Sequence, residues 1–261
     1  MKIQNNFLKD FISKKCSYGD HVCLLMKEDG IHMDSMSFEM TKFTSAILDV
    51  KAIEEYKVIE EKIGIVNTER LDRIIGLLPV NGKTEIKINN SVIEIITATE
   101  KHIIPLIASE SIVEMPEINL NYTDGAVFEI SIDNLKRMIA NIKTIEEKNG
   151  AVINFNISGN NLTYYSKKDN EEIYGLPIPI KPVISNTVNV SFNSVNVNDF
   201  VRIINSKVIN VSMKTDFPIT IKENIGQFMK VSYVLAPYID EEGTPISSDE
   251  ETDEVEENVD Q

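Results

Sequence analysis

Three stretches of this chain repeat one pattern. "ERLDRIIG" at 69–76, "IDNLKRMI" at 132–139 and "NDFVRIIN" at 198–205 align on a bulky apolar anchor, Leu71, Leu135 and Phe200. Two positions on, each has an arginine, Arg73, Arg137 and Arg202, followed by two apolar residues: Ile74 and Ile75, Met138 and Ile139, Ile203 and Ile204. Four positions upstream stand Asn67, Ser131 and Asn196. Their side-chain oxygens suit the orphan N–H groups of a helix's first turn. A weaker copy opens the chain. In "QNNFLKDFIS" the anchor is Leu8 and the apolar pair is Phe11 and Ile12, with Asp10 in place of the arginine and Gln4 in place of the cap. The anchors lie 63, 64 and 65 residues apart. Any single amphipathic helix can show the local pattern, but near-constant spacing across most of the chain requires internal repetition, and it restricts the fold to four copies of one unit.

Strands follow each helix. After the first copy comes "HVCLLMKEDGIHMDSMSFEMTKFTSAIL", broken at the hairpin signal "EDG"; after the second, "TEIKINNSVIEIITATEKHIIPLI" alternates around an "NN" turn. "AVINFNISGNNLTYYSKKDNEEIYGLPIPI" and "VINVSMKTDFPITIKENIGQFMKVSYVLAPYI" complete the third and fourth. One helix with a few antiparallel strands cannot bury its own apolar surface, so the units must pair. The segment 108–125, "ASESIVEMPEINLNYTDG", interrupts the regularity after the second unit and is expected to connect two domains, 1–107 and 126–239. Its Pro116 and scattered apolar residues fit an extended surface connector.

Charge has to be read by location. The net charge is -15, yet residues 240–261 contain eleven acidic residues and no basic one, which leaves the preceding chain at about -4 from 30 acidic and 26 basic residues. The tail is expected to be a solvated, disordered segment. With 42% hydrophobic residues the rest can bury a substantial core. No apolar run reaches the roughly 20 residues of a membrane span, and the first residues do not read as a signal peptide. Cys16 and Cys23 have no metal-ligand spacing, so free thiols in a reducing, intracellular compartment are expected.

At about 100° per residue the anchor and its apolar pair share one helix face and the arginine lies nearly opposite, away from the core. Lys9, Lys14, Lys15, Arg70, Lys136, Lys143 and Lys207 add positive charge to the same four elements. Equivalent helices in a quasi-symmetric arrangement turn equivalent arginines one way. That makes a basic surface suited to phosphates without any apparatus for reading bases.

Several motifs then resemble a known family. "DGIHMDSMSFEM", "AIEEYKVIEEKIGI" leading into the "ERLDRII" helix, and "YVLAPYI" before an acidic tail are similar to DNA sliding clamps of the proliferating cell nuclear antigen (PCNA) type, in their archaeal and viral forms. The resemblance implies an α+β DNA clamp fold with two similar domains, each of two helix-plus-strands repeats, helices inside and sheets outside. It implies a homotrimeric ring around double-stranded DNA, loaded by a clamp loader, that tethers DNA polymerase and other proteins carrying a clamp-binding motif. The location implied is the cytoplasm of a prokaryotic host, a nucleus or a viral replication site. On this resemblance Lys9, Lys14, Arg70, Arg73, Lys136, Arg137, Lys143 and Arg202 face the duplex, with Asp10 a departure. Partner peptides would meet Met36, Met40, Phe43, Pro218, Ala236, Pro237 and Ile239, with Val113, Met115, Ile118 and Leu120 of the connector as a lid; Ser37 stands where the family usually has aspartate. Subunits would join through edge strands holding Ile103, Ile104 and Leu106 on one side and Ile173, Tyr174, Leu176 and Ile178 on the other.

No enzyme signature is present. His21, His32 and His102 are far apart, no nucleophile motif or glycine-rich phosphate loop appears, and no metal or cofactor is expected. The competing reading is a clamp-shaped protein that works in a mixed ring, or as a transcription factor that does not encircle DNA. Asp10 and the prolines in both candidate edges motivate it.

Overall fold

The computed structural model describes residues 1–15, 22–37, 39–65, 68–89, 91–107, 122–145, 150–168 and 171–238. The first half runs β1 (Lys2–Gln4), α1 (Asn5–Ile12), β2 (Val22–Lys27), β3 (Gly30–Met36), β4 (Lys42–Asp49), β5 (Ile53–Glu54), β6 (Ile59–Ile65), α2 (Thr68–Leu77), β7 (Lys83–Asn89), β8 (Val92–Ile96) and β9 (Lys101–Pro105). The second runs β10 (Ala126–Ser131), α3 (Ile132–Ile142), β11 (Val152–Ser158), β12 (Asn161–Lys168), β13 (Glu171–Tyr174), β14 (Ile178–Pro179), β15 (Lys181–Ile184), β16 (Val188–Asn193), α4 (Ser194–Ile203), β17 (Val208–Met213), β18 (Ile219–Ile225) and β19 (Met229–Leu235). A strand leads into each helix and antiparallel strands follow it, an α+β arrangement repeated four times.

All four helices bury the same positions, the first, fourth, seventh and eighth. These are Asn5, Leu8, Phe11 and Ile12; Thr68, Leu71, Ile74 and Ile75; Ile132, Leu135, Met138 and Ile139; and Ser194, Val197, Phe200 and Val201. This common register corrects the sequence alignment in α4. Its cap is Asn193, whose side chain accepts the Val195 N–H at 2.9 Å, and Asn196 lies inside the helix. The anchor is therefore Val197, and the anchors are 63, 64 and 62 residues apart, from Leu8 to Leu71 to Leu135 to Val197. The residue equivalent to Arg73 and Arg137 is Asp199, matching Asp10 in α1. Ser131 does cap α3, accepting the Asp133 N–H at 3.3 Å; Asn67 lies outside the described residues.

Among the described residues three sheets carry the helices. One of nine strands, ordered β15-β10-β17-β18-β19-β4-β3-β2-β6, takes strands from both halves of the chain. The halves meet where β4 and β19 pair antiparallel from Lys42↔Leu235 to Leu48↔Met229. Two smaller sheets, β5-β1-β7-β8-β9 and β13-β12-β11-β16 with β14 beside β12, flank it. Strand alternation orients the faces: in β4, Lys42, Thr44, Ala46 and Leu48 are buried while Phe43, Ser45 and Ile47 are half-buried on the opposite face. The buried face continues into the apolar core with the helices' Leu8, Phe11, Leu135 and Phe200.

Among the described residues β9 and β13 are terminal strands of their sheets, the position in which a subunit contact is expected. One assigned residue does not fit. Ile104 points inward opposite Ile93 and is 0% exposed, so it is core and unavailable to a neighbour. The two-residue alternation leaves Ile103 outside, while Tyr174 and Leu176 are 71% and 85% exposed. Leu106, Ile173 and Ile178 are half-buried against the core.

Candidate nucleic-acid interface and partner cleft

The helices form a row. Between α1 and α2, Lys9 Nζ donates to the Gly76 carbonyl at 3.2 Å and Lys15 pairs with Asp72 at 2.8 Å. Between α3 and α4, Lys143 Nζ donates to Asn198 Oδ1 at 3.0 Å. The end of α1 reaches α4 through Lys14, which donates to the Ile203 carbonyl. The order is therefore α2, α1, α4, α3, with Arg70, Arg73, Lys136, Arg137, Lys143 and Arg202 exposed and Lys9 half-buried. Arg137 is steadied by Asn134 Oδ1 at 2.6 Å.

Lys14 is a correction. It lies beyond the last residue of α1, where helical angles no longer apply, and is 1% exposed, with its ammonium 3.3 Å from Glu223. Burial holds its pKa below the ordinary lysine value, against the pull of Glu223. It faces protein and offers nothing to a phosphate. Asp199 is likewise engaged, 2.7 Å from the buried Lys42. The exposed basic surface is thus concentrated on α2 and α3 and is weaker on α1 and α4.

On the other face of the large sheet, strand register lines up four side chains: Met36 opposite Phe43, Phe43 opposite Val234, and Val234 opposite Thr220. Pro218, Ala236 and Pro237, half-buried, frame one end of this row. The Ala236 N–H donates to the Thr41 carbonyl at 2.8 Å. Beside it a tight loop holds Met40 out into solvent, 69% exposed and at φ 56. Ser37 accepts the Lys42 N–H on Oγ at 3.1 Å and so closes this loop. Tyr122 docks beside this row. Its hydroxyl donates to the Pro218 carbonyl at 2.8 Å and lies 2.5 Å from Thr220 Oγ1, and its ring stands edge-on to Phe217. Val234, Thr220 and Tyr122 were not picked out from the sequence, although alternation around Phe43 and the position of Tyr122 before "TDG" were available signals. Val113, Met115, Ile118, Leu120 and Ile239 lie outside the described residues, as do residues 240–261.

A second concavity lies at the end of the row. A groove of about 590 Å³ separates α3 from the segment after β13, lined by Arg137, Met138, Asn141, Tyr164, Tyr174 and Leu176. Gly175 fits against the Tyr164 ring, donating its N–H to the Tyr164 carbonyl at 2.8 Å. Asn141 Nδ2 donates to the Tyr164 hydroxyl at 3.0 Å. At the opposite end of the chain's helix row, Leu77 and Val80 are exposed at the end of α2.

Among the described residues no helix is long and apolar enough to cross a membrane. No family model and no curated protein matches the chain. Solved structures do. A PCNA from A. fulgidus, solved with the C-terminal region of FEN-1 bound, superposes with a TM-score of 0.77 at 18% identity, covering 92% of this chain and 98% of that one. The repeated units, the sheet shared between halves and this superposition agree: the chain has the DNA clamp fold of the PCNA type.

Proposed function

We propose that this protein is a DNA sliding clamp: three copies close head to tail around duplex DNA and tether a polymerase and other replication or repair proteins through the outer cleft. The observation that carries this reading is the row of four helices, all buried through the same positions, with Arg70, Arg73, Lys136 and Arg137 exposed on the opposite side. Exposed cationic side chains of this kind suit weak, sequence-independent phosphate contacts, the kind that permit sliding. The ring would close by pairing β9 with β13 of the next copy. Leu77 and Val80 would then enter the groove beside α3, where Met138 and Leu176 offer apolar contacts. In the neighbour named above, FEN-1's C-terminal region binds PCNA; here a peptide with aliphatic and aromatic anchors fits the Met36, Phe43, Val234 and Pro218 cleft. No cofactor enters this reading, and the chain acts as a scaffold rather than an enzyme.

Asp10 and Asp199, at positions that carry arginine in α2 and α3, favour a second reading, in which the chain works beside different clamp subunits or without encircling DNA. The prolines no longer argue for it, because β13 is free of proline and Pro105 is the last residue of β9. The test is retention on DNA of the triple variant Arg73→Glu, Arg137→Glu, Arg202→Glu. Wild type should stay on closed circles and leave linear duplex, and should stimulate a polymerase; the variant should do neither while keeping its self-association. Unchanged retention and stimulation would contradict the assignment.

A further inference from the structure

Two lysines of the N-terminal half are inserted into the C-terminal half, and both end on α4. Lys14 donates to the carbonyl of Ile203, the last residue of the helix, and lies 3.3 Å from Glu223. Glu223, 2% exposed, spends its other oxygen on the Asn205 and Ser206 N–H groups at 3.1 and 3.0 Å, while the Tyr233 hydroxyl donates to it at 2.6 Å. Lys42 reaches Asp199 at 2.7 Å, one turn earlier on the same helix. A cation at a helix C-terminus satisfies orphan carbonyls and complements the dipole. Lys14 does so from the other half of the chain, Lys42 holds the Asp199 carboxylate one turn earlier, and Arg202 lies between their attachment points.

We propose that Lys14 and Lys42 are positioning residues: by gripping the C-terminal half of α4 at two points from the opposite half of the chain, they fix the direction in which Arg202 meets a phosphate. Burying two ammonium groups is a poor way to gain stability, since an apolar pair of the same shape serves as well or better. Directional charge-assisted bonds instead define one geometry. Backbone pairing of β4 with β19 joins the halves along the sheet. The lysines add the cross-link on the helix side, so the two pairs of helices keep one relative orientation. The DNA part of the inference rests on the function proposed above; the mechanical part does not.

The experiment is a double-mutant cycle on a short duplex at low salt, combined with amide exchange. Lys14→Met and Arg202→Ala should each weaken duplex binding several-fold, and the double variant should bind within about twofold of Arg202→Ala alone, because one acts through the other. If Lys14 touched DNA itself, the two losses would multiply, and that result overturns the proposal. Lys42→Met, which removes the bond to Asp199, should give the same non-additivity should Lys14→Met fold poorly. In parallel, the amides of 203–206 should exchange at least tenfold faster in Lys14→Met. Unchanged exchange there sinks the clasp whatever the DNA result. If Arg202→Ala binds duplex like wild type, the DNA role of α4 falls, and the exchange measurement alone decides whether the lysines hold the helix end.

Discussion

Gly175 gives the sharpest test of how the β13 edge is built. A Cβ added there would lie 1.9 Å from Tyr164 Cε1 and 2.3 Å from two further ring atoms. Ordinary contact begins near 3.4 Å, so in Gly175→Ala the ring or the strand end must move by about 1.5 Å. The ring cannot swing without leaving its bond from Asn141, and the strand cannot lift without loosening the Gly175 N–H bond to the Tyr164 carbonyl. Overpacking costs about 1–3 kcal/mol and a lost hydrogen bond about 1 kcal/mol. A total of about 2–4 kcal/mol corresponds to a Tm lower by about 4–16 °C for a chain of this size. Calorimetry measures this, and light scattering reports whether self-association weakens with the displaced edge. Gly159→Ala is the control: it adds a methyl where nothing lies within 4 Å, although its φ of +58 adds some backbone strain. A Gly175→Ala protein that melts within 1 °C of wild type and associates as strongly would refute the packing argument.

Other outcomes follow from the same structure. Gly76, inside α2 with open space around it, should gain about 0.5–1 kcal/mol on replacement by alanine, read as a raised denaturation midpoint. Asn193→Ala should cost about 1 kcal/mol through the lost cap while Asn196→Ala costs little; the reverse order in denaturant titrations would restore the alignment read from sequence. Tyr56 is pushed up to about 12 by burial and by Asp29, and Tyr233 is pushed up by burial and by Glu223. Both have folded values above the ordinary 10.0, so the stability they contribute is fully present below about pH 10 and is lost as pH rises from there through the folded values. Lys14, lowered by burial, acts in the opposite sense. Melting temperature should fall above pH 10, and Tyr233→Phe should flatten that fall.

Repetition was legible because burial of one helix face writes a 3.6-residue period that survives sequence drift, and three of the four helices begin as their anchors imply. α4 was misread because Arg202, Ile203 and Ile204 copy the Arg-Ile-Ile of α2, although the Asn193 cap starts the helix a turn earlier and Ile204 is already extended. Lys14 was misplaced for a related reason. A helical angle has meaning only within the helix, and what lies beyond its end is decided by Glu223, far along the chain. Phe43 and Met36 were reached by resemblance, whereas Val234 was not, because its place beside Phe43 depends on the pairing of β4 with β19. Ile104 shows the opposite case: its inward side of β9 follows from alternation once Ile103 is known to be outside. The close approach of Gly175 to Tyr164 leaves no mark in sequence, since glycine after a strand also suits an ordinary turn.

The most direct test of the clamp reading is the solution mass of the purified protein, by light scattering after size exclusion over a range of concentrations. The account predicts a particle near three times the 29.5 kDa chain, held together by the β9 and β13 edges and weakened by Tyr174→Asp. A monomer at every concentration would contradict the self-closing ring and leave the clamp fold to serve among other subunits.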